Sequence, residues 1–447
     1  MGLIRLGLSV KMASEGTEGT DDEPASSDII VISPTDGDLI LEVTHGKETF
    51  CYRVNVQRLV AGSTYFSNLL SGSFVEAIDV QSKLARLDRN SIAKVTADAL
   101  PHVHISDLGR ISRVSSIRDL VRDFLNAVHG HDIQKVPPIP NFANLAIVAD
   151  RFDCLGFFTE ATRRYLSTID ARASRKSEAQ SEERNRQRIL LGVFLDHGPW
   201  VPAPSKRLIV GGSICWTTEV IEDPHAALWW DLPHGLEEEL ICRREYLLET
   251  IESLQSHFLK LYSSSERQCK LGYDTSLQCD SYQLGEMVRF FQRINTLRLE
   301  GTLSTKDIAD GYSGDIERLL EAFHGCPSYQ IDRNHSHCGL RTRLVPILEA
   351  LDPLIRSGKS IGVGICGECW RKHRAEYAWT SAKRPVSWSR QRLVTLNSTG
   401  IVEPGSVSCL AHHLKVREMF MATERDWTSQ DDGRPIESKI TLGLRKI

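Results

Sequence analysis

Residues 38–76, DLILEVTHGKETFCYRVNVQRLVAGSTYFSNLLSGSFVE, hold the reading on which the fold turns. Leu39, Leu41 and Val43 alternate with Ile40, Glu42 and Thr44, the period of two expected of a half-buried strand. His45-Gly46-Lys47 offers a turn, and Phe50, Tyr52 and Val54 resume the same period, so a hairpin is expected. Two apolar segments follow directly, Val56–Val60 and Thr64–Leu70, the second behind Ser63 as an N-cap. Both are too short to be stable helices unless they pack on something. A hairpin running into two packed short helices suggests a binding module, not a catalytic loop.

On these residues the chain resembles the BTB/POZ interaction domain. The family opens with an Asp before an apolar strand, a second strand with a buried Phe, a Leu, then Ser-x-Tyr-Phe and Phe-x-Glu. Here Asp38, Phe50, Leu59, Ser63, Tyr65, Phe66, Phe74 and Glu76 stand in that order. Phe124–His129 is similar to the family's third helix, and Leu145–Cys154 to its helical hairpin in the form common in filamentous fungi. The resemblance spans about residues 28–170. It departs at the second strand, where many members carry a His and this chain has Arg53 and Val54, and at Ala77–Leu100, which reads as an inserted surface segment. The resemblance implies an interaction protein that homodimerises through the region around Asp38–Leu70, with Asp38, Phe50, Leu59, Tyr65 and Phe66 as the interaction residues. It also offers a cullin scaffold as a partner, in the role of a ubiquitin-ligase substrate adaptor. Many cullin-binding members carry an apolar-x-Glu element near the third helix, whereas this chain has only Ile117-Arg118-Asp119 and Val121-Arg122-Asp123. The other functional class is a nuclear, transcription- or chromatin-linked scaffold, weakened by the lack of a two-Cys two-His finger.

The chain of 447 residues is long enough for about three domains. With 54 basic and 58 acidic residues the net charge is -4, so no global field holds a polyanion, and any nucleic-acid contact has to be local. No apolar run is long enough for a membrane span. The segment Met1–Val10 lacks a small-residue cleavage site, and Leu6 stands where a myristoylation signal needs Ser or Thr. Met12 opens a more ordinary acidic start, which leaves open whether residues 1–11 are translated. Nucleus or cytoplasm is the expected location. In such a reducing compartment the eleven cysteines are buried thiols or metal ligands in preference to disulfides.

The expected fold class is α+β: a disordered tail at 1–27, the interaction domain at 28–170, a charged linker at 171–184, a mainly helical domain at 185–425 and a polar tail at 426–447. Within the helical part, Ile189–Leu195 reads as a short helix and Lys206–Ile214 as a strand or buried run behind Pro199, Pro202 and Pro204. Leu240, Leu247, Ile251, Leu254, Phe258 and Leu261 mark the clearest amphipathic helix, Leu236–Tyr262. Leu284, Met287, Phe291 and Ile294 mark a second, Ile316–Phe323 a third, and Leu340–Ile355 a fourth, interrupted at Pro346 and Pro353. No solenoid repeat period is present. The partner of this half is not legible.

Cys366-Gly367-Glu368-Cys369 is a knuckle whose tight turn lets two thiolates grip one side of a tetrahedral ion. Cys326, His335, His337, Cys338 and His373 lie within reach in sequence, and the preferred set is Cys326, Cys338, Cys366 and Cys369, a closed structural zinc site. Cys269 and Cys279 compete as ligands, and plain buried or surface thiols are the alternative. Gly362-Val363-Gly364-Ile365-Cys366-Gly367 matches a dinucleotide fingerprint. It lacks the acidic residue about twenty positions on and a parallel-sheet context, so no cofactor is expected there. From Trp370 to Leu393, seven basic residues interleave with Trp370, Tyr377, Trp379 and Trp388. That is either a nucleic-acid platform or, preferred, a solvated face whose rings pack inward. Trp229-Trp230 reads as a core anchor at the entry of the long helix in preference to a binding hot spot. No nucleophile elbow, phosphate loop or His-Glu-x-x-His is present, and no enzyme activity is expected.

Overall fold

The computed structural model describes residues 29–428 except 72–73, 88–91, 134–135, 176–180, 217–225, 270, 272–273, 299–311, 357–360 and 394–403. The N-terminal tail expected at 1–27, the middle of the linker and residues 429–447 lie outside the described residues. The chain is a mixed α and β protein, with a small sheet near its N-terminus and helices through the rest.

The hairpin forms where the alternation places it. Strand β1 (Ile30–Val31) is short, and β2 (Leu39–His45) pairs antiparallel with β3 (Glu48–Val54), Leu41 facing Tyr52 and Val43 facing Phe50. A further strand, β4 (His102–Ile105), returns parallel to β2, so the sheet order is β1-β3-β2-β4. The two short helices follow as expected, α1 (Val56–Gly62) and α2 (Thr64–Ser71), and Ser63 Oγ accepts from Phe66 N at 3.1 Å. Asp38 Oδ1 accepts from Val56 N at 2.8 Å, tying the start of the hairpin to the first turn of α1.

The stretch expected as a surface insertion is in part integral. Helix α3 (Val75–Leu84) buries Ala77 and Val80, and Leu100 is buried before β4. Arg53, at the departure from the family pattern, donates to the carbonyls of Ile92 and Val95 and so holds this segment on the sheet.

Helices α4 (Ile117–Val128), α5 (Ile139–Arg151) and α6 (Leu155–Arg175) complete the N-terminal half. Helix α6 runs into the expected linker, and α7 (Glu182–Phe194) follows the undescribed residues. Helix α7 packs on α5, and a single apolar core runs from the sheet into the helical half.

In that half α8 (Pro202–Gly211) corrects the strand reading of Lys206–Ile214. Pro202 sits at the helix start, where its missing N–H has no intrahelical partner to lose, and Leu208, Ile209 and Val210 are buried. The expected helices form as α9 (Leu236–Ser263), α10 (Ser276–Arg293) and α11 (Ile316–His324). Helix α12 (Leu340–Ile355) continues through Pro346 and Pro353 instead of breaking. Each proline costs about 3 kcal/mol in a helix interior. Burial of Leu344, Ile347, Leu348, Leu351 and Leu354, roughly 2 kcal/mol for each fully buried side chain, outweighs that cost. Helices α13 (Gly367–Tyr377) and α14 (Val407–Met421) and a two-stranded ribbon, β5 (Ser387–Ser389) with β6 (Glu424–Asp426), close the chain. The polar tail thus starts later than expected: Trp427 is wholly buried and its indole donates to Ser253 Oγ.

Candidate metal centres

Among the described residues two buried Cys/His clusters form, each of three thiols and one imidazole: Cys366, Cys369, Cys409 and His413, and Cys269, Cys279, His335 and Cys338. In each, the four ligand atoms lie within 4.8 Å of one another, and either could hold a metal ion. The set Cys326, Cys338, Cys366 and Cys369 is therefore corrected. Cys366 and Cys369 belong to one cluster, Cys338 to the other, and Cys326 to neither. Cys326 is buried with its thiol against the carbonyl of Pro327 at 3.6 Å, and it packs as a small apolar residue in the main core. His337 and His373 join neither cluster.

The knuckle centre is built by two helices. Cys366 caps α13 and Cys369 follows in its first turn, while Cys409 and His413 stand one turn apart on α14 and so share a face. Cys369 Sγ lies 3.8 Å from Cys409 Sγ, and Cys409 Sγ 3.2 Å from His413 Nε2. A tetrahedral zinc ion with Zn–S bonds of about 2.3 Å spans sulfur pairs about 3.8 Å apart, so the thiols stand at the edge length of such a site. The Cys366 thiol is pulled down to about 4, first by its hydrogen bond with Cys369, with burial opposing and His413 assisting. Burial opposes charge on the His413 ring, but its bonds to Cys366 and Cys409 outweigh that and raise its pKa. The same bond pushes the Cys369 thiol up, so the pocket favours a thiolate at Cys366 while a metal would still displace a proton from Cys369.

What holds the knuckle in place is a buried ion pair. Arg243 on α9 pairs with Glu239 at 2.8 Å, both 1 % exposed or less, and lies between the rings of Tyr377 and Trp379 at 4.9 Å from each centroid. Its guanidinium donates to the carbonyls of Val363 and Gly364, and Glu239 accepts from the backbone N–H groups of Trp379 and Thr380. Tyr377 OH accepts from Cys366 N at 2.7 Å, and its ring stands edge-on to His413. Glycine is required at two places. A Cβ on Gly362, at φ +52°, would fall 1.9 Å from the Leu354 carbonyl oxygen, and one on Gly367 would fall 2.6 Å from Gly198 Cα. The glycine run thus makes a tight turn after helix α12, not the strand-to-helix loop that cradles a dinucleotide.

The loop centre joins three separate segments. Cys269 lies in the loop after α9, Cys279 in the first turns of α10, and His335 and Cys338 in the loop before α12. Cys269 and Cys338 Sγ are 3.7 Å apart, and His335 Nδ1 lies 3.5 Å from the first and 3.7 Å from the second. Its three cysteines form a small cluster apart from the main core. Burial pushes the Cys338 thiol up to about 11, so a metal would displace protons on binding there.

The remaining sequence candidates fall differently. Leu59 and Phe66 are fully buried, Phe66 stacked on Phe152 at 5.1 Å, so they build the core of the N-terminal half. Asp38, Phe50 and Tyr65 are half-buried. In the basic stretch, Trp370, Tyr377, Trp379 and Trp388 are 1–5 % exposed, so none presents a ring face for a base to stack on. Arg371 pairs with Glu368, and Arg374 covers Trp370 at 4.6 Å. Trp229 is wholly buried just ahead of α9, and its carbonyl accepts from the buried Arg186. Sequence reasoning did not find Cys409 and His413, although Cys-x-x-x-His on a helix was a usable signal.

Comparison with protein-family models, curated proteins and solved structures gave no match.

Proposed function

We propose that this chain is a non-enzymatic protein–protein interaction and oligomerisation protein. Its N-terminal half acts as a BTB/POZ-type module, and its helical half is stapled by a structural zinc ion at Cys366, Cys369, Cys409 and His413. The observation that carries the interaction reading is the run of elements from Asp38: the hairpin β2–β3 leads directly into α1 and α2, with α4 and the α5–α6 hairpin behind. A closed four-ligand set of soft donors with no carboxylate suits a structural ion over a catalytic one, which keeps a position open for water.

Self-association is the first partner proposed. A cullin is the weaker alternative: neither element carries the Glu of cullin-binding members, Val121 is buried, and Asp119 and Asp123 both pair with Arg122. Light scattering coupled to size exclusion on the full chain at micromolar concentration is expected to give a dimer. A strict monomer would count against the reading.

A further inference from the structure

The loop centre is a second, chemically complete site separate from the knuckle, and no part of the proposed function uses it. Its donors are converged apart from the main apolar core: among the described residues of 264–275 and 325–339 there is no helix longer than a single 3-10 turn. What holds these loops is polar. Asp280 accepts from the backbone N–H groups of Gln268 and Cys269, both at 2.9 Å. Arg343 donates to the Gln268 carbonyl, and Tyr262 OH donates to the Cys338 carbonyl. Such contacts are worth about 1 kcal/mol each and do not by themselves explain why three thiols and a ring meet at one point.

A metal does explain it. The imidazole turns Nδ1 toward the sulfurs, while Nε2 lies 3.3 Å from Thr275 Oγ1 and 4.0 Å from Asp332 Oδ2. Metal-bound histidines use their second nitrogen in this way, a hydroxyl or carboxylate fixing the tautomer and the ring orientation. The Cys269–Cys338 sulfur separation is far longer than the roughly 2.05 Å of a disulfide, and it matches the edge of a zinc–thiolate tetrahedron.

We infer that Cys269, Cys279, His335 and Cys338 bind a second thiophilic divalent ion, zinc, which ties the loop after α9 to the loop before α12 and to the start of α10. The inference does not depend on the knuckle zinc, and metal counting separates the two. Full-length protein produced with zinc is expected to carry two ions per chain by mass-spectrometric metal analysis. Replacing Cys279 and Cys338 with serine should leave one, held by the knuckle. Replacing Cys369 and Cys409 should also leave one, held by the loops. Zinc content unchanged by the Cys279/Cys338 replacement overturns this inference and leaves the knuckle standing, whereas content unchanged by the Cys369/Cys409 replacement overturns the knuckle alone. If the loop variant is insoluble, alkylation of the unmodified protein decides. Cys269, Cys279 and Cys338 should become reactive together, in step with release of one ion to a chelator. Their reaction without metal release overturns the inference.

Discussion

The two Cys/His clusters have the same donor set and opposite surroundings. The knuckle centre is wrapped by the main apolar core, backed by the Arg243–Glu239 pair and pressed between two helices. The loop centre hangs on two irregular loops and the start of α10, with only its own cysteines for a core. Identical chemistry can therefore serve two energetic roles: one ion would reinforce a structure that already packs, and the other would supply order that packing does not. The N-terminal sheet stands outside this contrast, its core being mainly apolar with a few buried polar groups such as Asn55 and His129.

The largest effect that could break the comparison is loss of the knuckle ligands. Replacing Cys369 and Cys409 with serine is expected to lower the melting temperature by about 10 °C or more, because the ion and its thiolate bonds are lost inside the main core. The loop replacement should be milder, with lost hydrogen-exchange protection confined to roughly residues 264–282 and 326–343. Equal global destabilisation by both would erase the distinction. Next in size, Arg243→Met should cost about 3–5 kcal/mol by urea denaturation, since it strands the buried Glu239 carboxylate. It should also speed zinc loss from the knuckle and not from the loops. A cost below about 1 kcal/mol would mean that the pair does not hold the knuckle.

The smallest effect is a control that sits far from either metal. His129 is buried, with one ring nitrogen on the Leu125 carbonyl and the other accepting from Asn55 N. Burial lowers its pKa from 6.5 to about 4, so between those values the unfolded chain binds a proton that the native state refuses. Stability is then fully present above pH 6.5 and falls as the pH drops toward 4, by at most about 3 kcal/mol. His129→Gln should flatten that part of the pH–stability curve in metal-free and metal-loaded protein alike. An unchanged slope would reassign the acid sensitivity to the thiolates.

Much of the secondary structure was legible because its signals are local. The period of two in Leu39–Val54 and the apolar stripe from Leu240 to Leu261 are read from neighbours, and both elements appear where expected. The failures are places where distant packing outweighs local preference. Pro346 and Pro353 announce breaks, yet the buried face of α12 carries the helix through them. Lys206–Ile214 looks strand-like until the prolines before it are seen to start a helix.

The metal sites divide in the same way. The Cys366-x-x-Cys369 knuckle is visible because two ligands lie within one turn, and Cys409 with His413 is a second local pair. Which pair meets which is not local information. Cys326 and Cys338 were equally plausible partners by spacing, and only the packing of α13 on α14 rules them out.

The sequence by itself therefore determined the hairpin, the long helices, the ordinary charge balance and the presence of metal-type residues, since each is written in periodicity or in spacing within a few residues. Only the tertiary structure decided how the cysteines and histidines are partitioned into two clusters, where Arg243 is buried and which aromatic rings face inward. Those outcomes depend on side chains brought together from across the chain, where close packing and the cost of an unpaired buried charge select one arrangement among many.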